Sequence, residues 1–283
     1  MKKTLTTILF VITLISCGKT NEELATEQLN KARQLFENQL NEEAKKQIDS
    51  IDILFPKEIE IRRKGQILKG EIQVKELTRN INFLENEIAK IEAEIPNLTK
   101  NFIFQKDSTY EKHGKFIHKR QQTFLTINRS LLKAIVDETG CYYIESIYCG
   151  KYPIKHNSIK ISINDFFIES EVIPQTSAFN HSYQDENLYY EMVTYKNNNE
   201  ELFQYISENI DKTIKITLVG DRKHTFLLEP ADKQAISDAY NLGVALHDLI
   251  QMQQNLAGDK ARLSAVENNL EINNQKVNNH EKN

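Results

Sequence analysis

Residues 74–98 read VKELTRNINFLENEIAKIEAEIPNL. Val74, Leu77, Ile81, Leu84, Ile88, Ile91, Ile95 and Leu98 follow one another in alternating steps of three and four, the spacing that keeps an apolar seam on one side of a helix. Wound as a helix, the stretch spans about 37 Å. Near the C-terminus a second stripe appears: Leu242, Leu249, Leu256, Leu263 and Leu270 fall seven apart, with Ala239 and Leu246 at the alternate positions. Later alternate positions hold Gln253, Lys260 and Glu267, so this seam is expected to weaken toward an asparagine-rich tail, NNQKVNNHEKN, that reads as frayed or disordered. Two apolar stripes need partners. They can pair antiparallel with each other, or each can pair with another chain to make a homodimer.

Between the two stripes the pattern changes. Residues 122–127, 141–149, 158–169, 188–196, 213–219 and 224–229 are rich in Ile, Val, Tyr, Phe and Thr, and SIKISIND (158–165) and TIKITLVGD (213–221) alternate apolar with polar. Glu138-Thr139-Gly140, Gly150-Lys151, Asn197-Asn198-Asn199 and Gly220-Asp221 punctuate them as turns. The segment predicts about six strands and one helix, ELFQYISENI (201–210). The fold class expected is α+β, with an N-terminal helical hairpin and long helix, and a central β-rich module inserted between two heptad helices.

Ahead of the first seam, Leu29, Ala32, Leu35 and Phe36 recur at helical spacing, as do Ala44, Ile48, Ile51 and Leu54 before Pro56. Ala32, Ala44, Ile48 and Pro56 make this stretch resemble a single degenerate tetratricopeptide-type hairpin. Ile51 stands where that family prefers alanine, and no second repeat follows, so the resemblance implies a packed hairpin and not a peptide-binding solenoid. Gly65 and Gly70 lie inside the next helix, where each costs about 1 kcal/mol relative to alanine. Close helix packing accounts for them, and no Lys-Ser/Thr follows to make a phosphate loop.

The chain opens MKKTLTTILFVITLISCGKTNEEL. Two lysines precede an apolar run from Leu5 to Ile15 that is too short to span a bilayer, the layout of a cleaved export signal. Leu14-Ile15-Ser16-Cys17 resembles the lipobox of bacterial lipoproteins. That resemblance implies diacylglycerol on the Cys17 thiol, cleavage before it, and acylation of the new amine. No Asp follows the cysteine, which by the same resemblance favours the outer membrane, with the periplasmic or surface-facing side left open. Glu22 and Glu23 fit either a surface-export signal or the acidic first turn of a helix. The predicted organisation is 1–16, cleaved signal; 17–105, anchor, hairpin and long helix; 106–230, β-rich module; 231–283, C-terminal heptad helix and tail.

Removing residues 1–16 leaves 283 − 16 = 267 residues, and a formal charge of −4 − 2 = −6 once Lys2 and Lys3 are gone. That acidity excludes a nucleic-acid binder, which needs a basic stripe. Cys141 and Cys149, if on one strand, lie roughly 26 Å apart, beyond disulfide reach, and are expected as free, buried strand cysteines. Of the histidines, His113 and His118 are spaced for neither a helical nor a strand-face metal pair, and His247 beside the leucine seam is expected to be partly buried. No G-x-S-x-G, no P-loop and no G-x-G-x-x-G occurs.

Tyrosines crowd the β segments. Tyr143, Tyr183 and Tyr190 are the candidate partner-binding residues, since Tyr142–Tyr143 and Tyr189–Tyr190 are adjacent pairs that cannot both face one core. The functional expectation is a membrane-anchored, non-enzymatic binding or scaffold lipoprotein whose partner is a protein or glycan. It needs no cofactor beyond the lipid on Cys17. The alternative is an envelope or glycan hydrolase, with Asp185 or Glu186 as acid. A periplasmic efflux-type adaptor shares the anchor, hairpin and β domains, but that family places its hairpin mid-chain with β on both sides.

Overall fold

The computed structural model describes residues 19–107, 109, 111–122, 128–196 and 200–280. Cys17, residues 123–127 of the first predicted strand and the Asn197–Asn199 turn lie outside them. The fold is α+β, with antiparallel sheets between long helices. Two compact units form. One comprises the chain up to Asn82 together with the stretch from Ala257 onward, and the other is Phe83–Leu256. These divisions fall inside the two heptad helices and not at their ends.

The helical unit begins at a capped terminus. Thr20 accepts from the Glu23 amide at 3.2 Å while the Glu23 carboxylate accepts from the Thr20 amide at 2.9 Å. This capping box starts α1, Asn21–Glu37. After a reversal in which Gln39 takes φ 63°, α2 runs Asn41–Leu54 and α3 runs Ile59–Thr99. Ala25, Leu29, Ala32, Ala44, Ile48, Ile51, Ile61, Leu68 and Ile72 make one core. Leu54, predicted to join it, is instead 59% exposed because α2 ends there and its last turn has nothing above it to pack on. Lys69–Asp49 and Arg62–Asp52, at 2.6 and 2.8 Å, tie α3 to α2. Such half-exposed pairs contribute at most about 1 kcal/mol each.

All eight seam residues of α3 are buried or half-buried. Their partner is α5, Pro230–His280, a helix that pairs with α3 antiparallel within the chain. A Cβ on Gly70 would sit 2.6 Å from Leu270, so the glycine is a notch for that leucine. Asn80 donates to the Asp259 carboxylate, and Gln253 donates to Glu92 at 3.2 Å. The leucine column of α5 holds, but its companions differ from those predicted. Gln253, Lys260 and Glu267 are exposed, and Met252, Asp259, Val266 and Asn273 turn inward one residue earlier. Three of the four predicted companions beyond Ala239 are polar, so the buried stripe rotates toward Met252 and Val266. The tail also differs from expectation. Its residues to His280 are helical, because Val277, 8% exposed, still has a place to bury.

Among the described residues the β-rich unit holds ten strands: β1 Phe102–Gln105, β2 Lys115–His118, β3 Leu131–Asp137, β4 Tyr142–Gly150, β5 Ser158–Ile163, β6 Phe166–Glu169, β7 Asn180–Asp185, β8 Leu188–Tyr195, β9 Lys215–Val219 and β10 Lys223–Leu227. One antiparallel sheet is ordered β1-β2-β3-β4-β8-β7 and the other β10-β9-β5-β6. Helix α4, Glu200–Ser207, buries Leu202, Phe203 and Ile206. The core gathers Leu132, Val136, Ile144 and Val193 from the first sheet, Ile159, Ile161, Ile216 and Leu218 from the second, α4, and Ile236 and Leu242 of α5.

The predicted strand 158–169 is two strands folded at Asn164, whose φ of 52° suits asparagine in a two-residue hairpin turn. β1, β2, β3 and β7 are absent from the sequence reading. β3 reads LLKAIVD, buried on both faces, so it shows no alternation. β7 reads NHSYQD, with five of six residues exposed, and is held by pairing to β8.

At the first turn of α5, Asp232 receives Arg129 at 2.6 and 3.1 Å and the Gln121 amide at 2.9 Å. Gln121 also donates to the Leu132 carbonyl and accepts from the Ala134 amide. Its side chain thus continues the ladder on β3 where β2 has ended. Six residues further along α5, Asp238 meets His118 at 3.2 Å.

Replacing Gly70 with Val should displace Leu270 and cost about 1–3 kcal/mol. Gly258, which has no neighbour within 4 Å of an added Cβ, should gain roughly 0.5–1 kcal/mol as Ala. Thermal unfolding followed by circular dichroism should move in opposite directions for the two variants.

Candidate functional site

Three places bring polar or aromatic chemistry together. The first is buried between the sheets. β4 turns Tyr142, Ile144, Ser146 and Tyr148 inward, and β8 turns Glu191, Val193 and Tyr195 inward. His156 lies in the connection from β4 to β5. Ser146 Oγ is 2.8 Å from His156 Nε2, and His156 Nδ1 is 2.8 Å from Glu191 Oε2. The carboxylate fixes the tautomer, so Nδ1–H donates to Glu191 and Nε2 accepts from the serine. Glu191 further receives the amides of Ile154, Lys155 and His156 at 2.7–2.8 Å.

Lys155 holds φ 50°, a left-handed backbone that turns successive N–H groups toward one anion. Glu191 occupies that nest as an internal anion. Burial alone would raise its carboxyl pKa, but the bonds from His156 and from the amides of His156, Lys155 and Ile154 outweigh it and hold the group below its ordinary value.

Ser146, His156 and Glu191 thus have the connectivity of a nucleophile, base and orienting acid. All three are buried. Ser146 and His156 are 0% exposed and Glu191 3%, and Tyr195 hydroxyl, 3.3 Å from Ser146, closes the inner side. The cluster fastens the 151–157 connection to β4 and β8. Sequence reading missed it because spacings of 10 and 35 residues match no motif.

The second place is a cleft of about 580 Å³ lined by Thr139, Gly140, Cys141, Tyr142, Lys196, Glu200, Val244, His247 and Asp248. Gly140, at φ 80°, rests on the α5 backbone, where a Cβ would meet the His247 amide at 2.3 Å. Cys141, predicted buried, is exposed here because β4 begins only at Tyr142. His247, predicted partly buried, is exposed one residue off the seam. Cys141 and Cys149 are both free thiols. Although its surface is open, crowding by the cleft walls partly desolvates Cys141, and this, then the Asp137 charge, pushes its thiol up. Burial and then Glu200 push the Tyr142 phenol up to about 12. Neither group is ionised at neutral pH, so the cleft holds no activated thiolate.

The third place is the outward face of the β4–β8–β7 edge. Tyr183 and Tyr190 are cross-strand partners whose rings stack at 4.9 Å and 9°. Tyr183 is 51% exposed, and the Tyr190 hydroxyl donates to Asn128. Tyr143, the third tyrosine singled out, is only 7% exposed. It packs on Ile117 and Ile135, with Lys196 over its ring at 5.0 Å, and is therefore a packing residue. The adjacent-pair reasoning holds for the direction in which Tyr143 points but not for its exposure, since the outer face there is covered. Asp185 ends β7, and Glu186, at φ 49°, forms the turn into β8. Phe166 and Phe167 of edge strand β6 are 77% and 53% exposed.

Among the described residues, no group of three or more His, Cys, Asp or Glu side chains is placed to hold a metal ion. Among the same residues, no helix is long and apolar enough to cross a membrane. No protein family, curated protein or solved structure matches the chain.

A carboxyl held low in the folded chain stabilises it fully above the ordinary carboxyl range near pH 4.5 and less as pH falls through the folded value. Glu191→Gln should therefore lose about 3–5 kcal/mol at pH 7 and show a flatter acid branch in pH-dependent denaturant unfolding. A fluorophosphonate probe should leave Ser146 unlabelled in the folded chain, because the buried serine is closed to the reagent, as peptide mass mapping would reveal.

Proposed function

We propose that this is a lipid-anchored envelope protein that binds a protein or glycan partner through the aromatic outer edge of its β-rich unit. The observation that carries the reading is the stacked and half-exposed Tyr183–Tyr190 pair. A rigid aromatic platform at a sheet edge offers contact area at little entropic cost. The LISC motif supports the anchor, with Cys17 carrying the lipid and the outer membrane as the favoured location. The groups with hydrolase-like connectivity are sealed from substrate, which weighs toward binding over hydrolysis.

Tyr183→Ala should weaken partner capture about tenfold or more while leaving thermal stability nearly unchanged. Tyr143→Ala should instead destabilise the fold by about 3 kcal/mol and alter binding only through unfolding. Unchanged capture by Tyr183→Ala and Tyr190→Ala would remove the proposed face. Cys17→Ala should shift the chain from the membrane to the soluble fraction. Protease shaving of intact cells, blotted for the β-rich unit, assigns the side of the membrane it faces.

A further inference from the structure

The helical unit leaves a run of apolar residues in the open. Ile53, Leu54 and Ile59 are 77%, 59% and 61% exposed, and half-buried Phe55 and exposed Pro56 complete the sequence ILFP at the reversal from α2 to α3. Four consecutive apolar residues at a solvent-facing turn contradict the polar composition expected of a connection between helices. The backbone there is ordered, with Glu58 bonded to the Phe55 carbonyl and Ile59 to that of Lys57, so the side chains are presented on a fixed reversal. Leu24, 39% exposed, lines the same shallow groove as Phe55. The patch therefore sits where α1 begins.

That end of the unit is also where the chain enters it. Only Gly18, Lys19 and Thr20 separate Cys17 from Asn21, the first residue of α1. The four steps from Cys17 to Asn21 reach at most about 14 Å, and Leu24 lies about one helical turn, roughly 5 Å, further on. A lipid on Cys17 would hold Leu24 within roughly 20 Å of the headgroups, and the capping box at Thr20 fixes the start of the helix that carries it. Charges of both signs lie beside the patch: Glu27 and Lys31 line the groove with Leu24 and Phe55, Lys19 pairs with Glu27 and Arg62 with Asp52, and Lys57 and Glu58 follow Pro56 in the chain. The surface has no basic bias, so any affinity for a bilayer comes from apolar contact and not from attraction to anionic lipid.

We infer that Leu24, Ile53, Leu54, Phe55 and Ile59 form a membrane-contact patch that lies in the headgroup region of the bilayer anchoring the chain. The inference rests on the lipid-anchor reading of Cys17. It adds a second attachment point, and with two points the helical unit is oriented on the membrane.

The natural chain contains no tryptophan, so one introduced indole reports a single site. The full chain carrying Leu54→Trp, made with its signal and extracted from membranes, is reconstituted into phosphatidylcholine vesicles with plain or brominated acyl chains. Phe83→Trp, an exposed position 24 residues beyond Ile59 on α3, serves as the control. The expected result is a blue-shifted emission for Leu54→Trp, quenched about twofold by brominated lipid and insensitive to molar salt, with Phe83→Trp unquenched. Intact mass on the same preparation reads the state of Cys17. An acylated chain in which Leu54→Trp is unquenched, or both positions are quenched alike, overturns the patch and leaves the anchor standing. An unquenched Leu54→Trp accompanied by a concentration-dependent dimer assigns the patch to a second copy. An unmodified Cys17 overturns the anchor reading and the proposal with it.

Discussion

A helix that returns to its partner 161 to 179 residues later must be told where to sit. Apolar stripes alone do not tell it, because a slip of one heptad buries nearly the same area. Register on α3 and α5 comes from the few contacts that a slip would ruin. Leu270 fits the notch at Gly70, and buried Asp259 finds its donor in Asn80. A one-heptad slip would drive Leu270 against a side chain and take the Asn80 amide away from buried Asp259, leaving it to the exposed Arg262 on its own helix at 3.5 Å. Either outcome costs more than the apolar contacts distinguish. Size and polarity at two positions thus settle what eight apolar residues leave open.

Within the β-rich unit the same logic operates through carboxylates. Asp232 and Asp238 on the first turns of α5 hold Arg129, Gln121 and His118, and so bind the helix to the end of β2 and to residues that lie between β2 and β3. Glu191 gathers three amides and an imidazole from a connection that would otherwise bury unpaired donors. The left-handed backbone at Lys155 costs energy that an L-residue would avoid in free solution, and the charge at the centre of the nest offsets it. Each of these acids holds separate segments of the chain together through its hydrogen bonds.

Legibility in the sequence followed the periodicity of burial. The α3 seam was readable residue by residue because each of its eight positions faces the same side. The α5 seam was readable in its leucines and misread in its companions, since identity alone cannot show that the buried stripe turns toward Met252 and Val266. Strands with one buried face, such as SIKISI, announced themselves. β3, buried on both faces, and β7, exposed on nearly all of its length, did not, because neither alternates. Of the candidate tyrosines, Tyr183 and Tyr190 come together only through a cross-strand register that sequence does not carry. Tyr143 is covered on the face where alternation predicted solvent. The polar cluster around His156 depends on three distant segments and had no local signal.

The long separation between α3 and its partner also has a consequence in time. Chains are made from the N-terminus at about 5–20 residues per second, so the α3 stripe is complete on the order of 10 s before the matching turns of α5 exist. Throughout that interval Ile81, Leu84 and Ile88 have no intramolecular cover, and the β-rich unit cannot receive Asp232 or Asp238. Closure must await the last fifth of the chain. The nascent protein is thus an open, sticky intermediate by topology, and its yield in the cell should depend on how well that exposed helix is shielded until the end of synthesis.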